Sequence, residues 1–155
     1  MSPSRRRLAI WIVAGFTTGA VAFGIATRPF HSDAGFTVLA GSDVINIPTS
    51  AIARGQVRFF VYRSRAGNYI RLIIARDDHG NVEAAFDACE RCYMYHRGYK
   101  ASRGVITCRW CGTHYKVSSM SEGLSGCEPI KVPFRTVGQT IRIRTADLEH
   151  QSKLF

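Results

Sequence analysis

The sequence predicts an all-β fold, a small antiparallel meander with two Cys-x2-Cys turns, preceded by one N-terminal transmembrane helix. Two observations predict the meander. β-Branched and aromatic runs at residues 57–62 and 69–75 are bounded by turn residues at 65–68 and 77–81. No long helical periodicity follows residue 30. The chain after residue 87 consists of short apolar pieces separated by glycine and cysteine, which also favours short strands over helices.

The N-terminal helix is predicted from an uncharged apolar run that begins at Leu8 and ends at Ala26, directly after Arg5, Arg6 and Arg7. Its 19 residues come close to the roughly 20 that a helix needs to cross a bilayer. A basic flank stays on the cytoplasmic side, which places the rest of the chain outside the cytoplasm. We therefore expect a single-pass inner-membrane protein whose C-terminal domain lies on the periplasmic, extracytoplasmic side.

Two other features of this segment concern export. The small residues Gly24, Ile25 and Ala26 have the spacing of a signal-peptide cleavage site, although the apolar run is longer than is usual for a signal peptide and favours a retained anchor. The sequence from Ser4 to Leu8 resembles a twin-arginine export signal. The predicted organisation is an anchor or uncleaved signal at 1–26, a tether at 27–43, an extracytoplasmic domain at 44–146 and a polar tail at 147–155.

Charge and composition restrict the function classes. The formal net charge is +10. A basic chain can bind nucleic acid, but an export segment argues against that partner, so anionic lipid headgroups or an acidic protein are better candidates. The sequence shows no paired carboxylates at suggestive spacing and no Ser–His–Asp arrangement, so we predict no catalytic residues. An enzyme is therefore the least favoured of the function classes.

All five cysteines lie within residues 89–127, and the first four form a C-x2-C-x15-C-x2-C pattern. Each C-x2-C turn points two thiolates toward one place, and two such turns build the four-sulfur site of zinc ribbons and rubredoxins. Gly112 suits the tight turn after the second pair. Disulfides are the alternative in an oxidising compartment, but five cysteines cannot all pair. The predicted metal ligands are Cys89, Cys92, Cys108 and Cys111.

The spacing accepts structural zinc, a single iron ion or an iron–sulfur cluster. Cys127 is a candidate fifth ligand, an alternate ligand or a buried thiol. His96 and His114 follow the two turns closely, either as outer-shell donors or as surface residues. Because four thiolates already complete a site, the surface interpretation is favoured.

Three motifs surround the five cysteines: Phe86-Asp87-Ala88-Cys89-x-x-Cys92, Cys108-x-x-Cys111-Gly112 and Gly126-Cys127-x-Pro129. With these motifs the sequence resembles the FtrD-like membrane iron–sulfur proteins. The resemblance implies an iron–sulfur cofactor and a role in electron transfer or iron handling beside a membrane partner, such as a ferrous-iron uptake system. Larger members carry several more membrane helices, so any transport would belong to the partner. The alternative is a structural-zinc accessory module without a redox role.

A weaker resemblance links residues 105–144 to the second half of a Rieske domain. Rieske centres pair each cysteine with a histidine, whereas both turns here are C-x2-C. In the electron-transfer interpretation, aromatic side chains shield the centre from water, although ordinary core packing would place them similarly. These side chains are Tyr93, Tyr95, Tyr99, Trp110 and Tyr115.

Overall fold

The computed structural model describes residues 35–120 and 127–155. These residues belong to one compact unit. The run from Leu8 to Ala26, predicted as the membrane anchor, and the tether up to residue 34 lie outside the described residues. Among the residues that are described, no helix is long and apolar enough to cross a membrane.

The described chain is mostly β, which confirms the all-β prediction. The strands are β1 (Phe36–Leu39), β2 (Val44–Pro48), β3 (Gln56–Arg63), β4 (Tyr69–Arg76), β5 (Val82–Cys89), β6 (Tyr99–Ser102), β7 (Val105–Cys108), β8 (His114–Lys116), β9 (Pro129–Lys131), β10 (Arg135–Val137) and β11 (Thr140–Arg144). The helix α1 spans Thr145–His150, and single 3-10 turns span Thr49–Ala51, Tyr93–Tyr95, Val117–Ser119 and Ser152–Leu154.

The largest sheet has the strand order β1-β3-β4-β5-β9. Its centre, β3-β4-β5, is the antiparallel meander that the sequence predicts. One edge differs from the prediction, because β1 lies in the segment expected to be tether and pairs with β3 in parallel. The ring of Phe36 on β1 packs edge-on against Phe59 on β3, with centroids 5.6 Å apart. Aromatic and β-branched residues therefore give this short segment a reason to join the sheet.

The two smaller sheets have the orders β10-β11-β2 and β6-β7-β8. The β6-β7-β8 sheet is a continuous antiparallel meander, and its middle strand ends at Cys108. The first Cys-x2-Cys turn begins at Cys89, the last residue of β5. The two cysteine pairs therefore start from different sheets.

Side chains alternate between the two faces of the large sheet along each strand, and each face packs into a core of its own. On β4, Leu72 and Ile74 belong to a core shared with β2 and β11, while Ile73 belongs to a second core with the β6-β7-β8 sheet. This second core contains Tyr99 and Ile106 and also Cys89 and Cys108. The cysteine site is thus part of the packing between the large sheet and the β6-β7-β8 sheet.

The C-terminal segment differs from the polar tail predicted from Asp147. It forms α1 and a 3-10 turn, with Leu148 and Leu154 buried in the core. The ring of Phe155 lies 6.2 Å from that of Phe86. Three apolar side chains among polar ones are enough to dock this short segment, although their spacing gave no periodic signal.

Candidate metal centre

The first cysteine turn joins β5 to the 3-10 turn at Tyr93–Tyr95. The backbone N–H of Cys92 donates to the Sγ of Cys89 at 3.0 Å. His96 ends the turn with a left-handed backbone, φ 51°. A backbone N–H pointing at a thiolate stabilises its negative charge, which is what a metal-binding turn requires.

The second cysteine turn follows β7 and closes on itself. The N–H of Gly112 donates to the carbonyl of Cys108 at 3.1 Å, and the N–H of Cys108 donates to the carbonyl of Thr113 at 2.8 Å. Gly112 has φ +76°, which an L-residue rarely adopts. The sequence predicted Gly112 in this tight turn for the same reason.

The five cysteine sulfurs converge into two overlapping groups. Sulfurs of Cys89, Cys92 and Cys127 lie within 4.8 Å of one another, as do those of Cys92, Cys108 and Cys111. Cys92 belongs to both groups, and the sulfurs of Cys111 and Cys127 are 3.9 Å apart. Metal–sulfur bonds of about 2.3 Å in a tetrahedron place sulfurs about 3.8 Å apart, so this spacing suits thiolate ligation. All five cysteines are free thiols, without disulfides.

Cys127 reaches the site through sheet pairing. Strand β9 begins two residues later, and Pro129 on β9 pairs with Cys89 on β5. The hydroxyl of Tyr99 donates to the carbonyl of Cys127 at 2.8 Å, which fixes the backbone there. Cys127 is buried, as a structural thiol would be, yet its sulfur lies among those of the predicted ligands.

The five cysteines differ in how deeply they are buried. Cys89, Cys108 and Cys127 are buried, Cys92 is half-buried and Cys111 is exposed. The centre therefore lies at the edge of the second core, with one sulfur facing solvent. The sulfur group is thus open to solvent at Cys111 and shielded at Cys89, Cys108 and Cys127.

The thiol pKa values differ around the site. Burial raises the pKa of Cys92, Cys108 and Cys127, and neighbouring thiols raise that of Cys92 further. Hydrogen bonds from Thr113 lower the pKa of Cys111 to about 6. Its sulfur lies 3.3 Å from the Thr113 hydroxyl. Several adjacent thiolates repel one another, so a bound cation would compensate a charge cluster that protein alone leaves unfavourable.

A buried carboxylate connects the two cysteine turns. Asp87 accepts the backbone N–H of Tyr99 at 2.6 Å and forms an ion pair with Arg71 at 3.5 Å. Burial raises the pKa of Asp87 to about 6 despite Arg71. The carbonyl of Gly98 accepts the N–H of Arg109 at 2.9 Å. Residues 98 and 99 thereby join β5 to the second turn.

Sequence reasoning did not identify Asp87 and Gly98 as positioning residues. Asp87 was only part of the family motif, although an acidic residue between Phe86 and Ala88 in a buried strand is a usable signal. Gly98 has φ +63°, and a Cβ there would overlap the Asp87 carboxylate. The sequence alone could not pair these two residues.

The predicted aromatic shield divides into three parts. Tyr93 is half-buried and packs against the core shared with β2 and β11. Tyr99 and Tyr115 are buried in the core that contains Cys89 and Cys108. Tyr95 and Trp110 are exposed and stack on each other instead. His96 and His114 are exposed, in agreement with the surface interpretation, and neither belongs to a thiol group within the described part of the chain.

Convergent thiolates are the donor set that iron–sulfur clusters require, so the residues fit such a cofactor. No curated protein matches the chain. The family model described as "Membrane iron-sulfur containing protein FtrD-like" matches residues 52–155, well over half of the sequence and all the cysteines. The chain therefore belongs to the FtrD-like family of membrane iron–sulfur proteins.

Proposed function

We propose that this chain is a membrane-anchored, extracytoplasmic iron–sulfur protein that carries single electrons or handles iron beside a membrane partner, such as a ferrous-iron uptake system. The observation that carries the proposal is the convergence of five sulfurs in two groups that share Cys92. The family description, which names a membrane and an iron–sulfur content, supports it.

The ligands in this proposal are Cys89, Cys92, Cys108 and Cys111, with Cys127 as an additional thiolate beside them. An iron–sulfur centre held there would supply a one-electron couple, whose potential depends on hydrogen bonds to sulfur and on burial. The chain offers such bonds at Cys89, from the Cys92 N–H, and at Cys111, from Thr113. Tyr99 and Tyr115 exclude water from the buried side.

Electron transfer suits the position of the site better than catalysis does. A carrier needs a centre close to the surface, and the exposed Cys111 supports that. A catalyst would also need groups that bind substrate and move protons. Asp87, a buried carboxylate two residues before Cys89, is instead occupied by Tyr99 and Arg71.

The proposed anchor is the run from Leu8 to Ala26, with the domain on the periplasmic side of the inner membrane. The three preceding arginines motivate this orientation. A single anchor cannot form a transport path, so transport would belong to the partner membrane protein.

One observation favours a second candidate function. The 3.9 Å separation of the Cys111 and Cys127 sulfurs is that of ligands on a single tetrahedral ion. Zinc in this place would stabilise the packing of the β6-β7-β8 sheet, and the domain would act as a structural accessory module.

A potentiometric titration tests the electron-transfer proposal. The full-length protein, purified anaerobically in detergent, is reduced stepwise and followed by visible absorption and electron paramagnetic resonance. The proposal expects a reversible transition with a one-electron slope of about 59 mV per decade. A protein whose spectra do not change between reducing and oxidising limits would contradict it.

A further inference from the structure

Two exposed aromatic rings join the cysteine turns at the surface. Tyr95, in the 3-10 turn after Cys92, stacks on Trp110, which lies between Cys108 and Cys111. The ring centroids are 3.8 Å apart and the planes differ by 12°. Tyr95 is 46% exposed and Trp110 51% exposed. Large aromatics held rigidly in solvent are typical of binding hot spots, because they offer contact area at little entropic cost.

A basic groove of about 590 Å³ lies beside Trp110. Its lining includes Cys108 and the cationic side chains of Arg71, Arg97, Lys100 and Arg109. Within residues 35–120 and 127–155, no acidic side chain lines it. The metal centre is therefore bordered by positive charge on this side.

The cationic side chains of the groove differ in how they are held. Arg71 donates to the carbonyl of His96 at 3.0 Å, and Arg109 donates to that of Tyr99 at 2.8 Å. Arg97 and Lys100 are exposed and make no ion pair among the described residues. Cations without internal partners beside exposed aromatics match the composition of protein interfaces, in which aromatics and arginine are enriched.

We propose that this face, defined as Tyr95, Trp110, Arg97, Lys100 and Arg109, docks the acidic surface of a one-electron partner protein. The inference rests on the proposed function and names the partner's chemistry. An iron–sulfur centre held by the cysteines would supply one electron on docking, and the partner's redox centre would accept it, with no covalent bond formed or broken. Complementary charge accelerates encounter and orients the exposed Cys111 side of the centre toward the partner.

The test compares two charge reversals. Arg97→Glu with Lys100→Glu alters the face, while Arg135→Glu with Arg142→Glu alters the net charge equally elsewhere. Arg135 and Arg142 are exposed, pair across β10 and β11, and line a different groove. Neither double variant removes a hydrogen bond recorded for these side chains in the described residues. Iron content and melting temperature verify that both variants fold.

Stopped-flow oxidation measures the steering. Full-length protein in zwitterionic detergent is reduced and mixed with hexacyanoferrate(III), a trianion, or with the cationic tris(phenanthroline)cobalt(III). The face variant should react about tenfold more slowly with the anion and faster with the cation. The control variant should change either rate less than about twofold, and the contrast should shrink with salt. Equal slowing in both variants would overturn the proposal.

Binding of poly-L-glutamate, measured by calorimetry on the same proteins, does not depend on iron. The face variant should bind it about tenfold more weakly than the control variant. If no iron is present, oxidation fails in every protein and the proposed function is wrong, while this binding still tests the face. A face variant that loses adhesion to phosphatidylglycerol vesicles but keeps poly-L-glutamate binding would identify a lipid surface and overturn the proposal.

Discussion

Gly98→Ala tests whether the contact between Asp87 and residues 98–99 holds the metal centre together. Gly98 has φ +63°, and its new Cβ would overlap the Asp87 carboxylate. The left-handed backbone costs about 1–2 kcal/mol for an L-residue. Displacing the carboxylate also weakens its hydrogen bond to the Tyr99 N–H, worth about 1.5–3 kcal/mol for a charged group. The expected loss of folding stability is therefore about 3–5 kcal/mol.

Gly138→Ala is the matched control. Gly138 has φ +58°, but nothing lies within 4 Å of a Cβ added there. Its substitution should cost only the backbone term, about 1–2 kcal/mol.

Thermal unfolding of the full-length variants in detergent, with iron measured in parallel, separates the cost of the left-handed backbone from the cost of displacing Asp87. A difference of about 2 kcal/mol corresponds to melting temperatures about 8 °C apart in a domain of this size. Gly98→Ala should also lose iron, because the Gly98 carbonyl receives the Arg109 N–H of the second turn. Equal melting temperatures with full iron content in both variants would refute the reasoning.

Three further predictions concern the cysteines and the anchor. Cys108→Ser should lose the metal and loosen the fold because ligation energy is also folding energy, while Cys127→Ser should retain most of the metal. Metal analysis of both variants checks this, and loss of metal from Cys127→Ser but not from Cys108→Ser would exclude the ligand assignment. In the metal-free protein Cys111 should react first with iodoacetamide, and its reaction rate should fall as pH drops through about 6, since Thr113 stabilises its thiolate. Peptide mapping by mass spectrometry identifies the first cysteine to react, and an earlier reaction at Cys92 or Cys127 would contradict this prediction. A reporter fused after Phe155 should be active only outside the cytoplasm, and activity only inside would reverse the topology.

The sequence predicted the central meander and the all-β class because β3, β4 and β5 carry β-branched runs separated by clear turn residues. It did not predict β1, whose four residues carry too weak a pattern to distinguish a strand from a tether. The docking of Leu148 and Leu154 was missed for a related reason. Isolated apolar residues acquire meaning only when the core that receives them is known.

For the site, the C-x2-C spacing predicted four ligands, and their sulfurs lie in two groups that share Cys92. Each C-x2-C turn is a local structure, so its pair of sulfurs can be predicted from spacing alone. The position of Cys127 depends on the pairing of β9 with β5, which spans about 40 residues and leaves no local signal. The contact of Asp87 with Gly98 and the stacking of Tyr95 on Trp110 are likewise tertiary. Residue types predicted thiolate ligation of a metal, and only the fold showed which residues position the cysteines.

The most direct test of the central claim is metal and sulfide analysis of the anaerobically purified full-length protein, together with its visible spectrum. We expect iron with acid-labile sulfide and a visible absorption that bleaches or shifts on reduction, because the convergent thiolates would hold an iron–sulfur cluster. A colourless protein with stoichiometric zinc and no iron would contradict it and leave the structural-zinc function in its place.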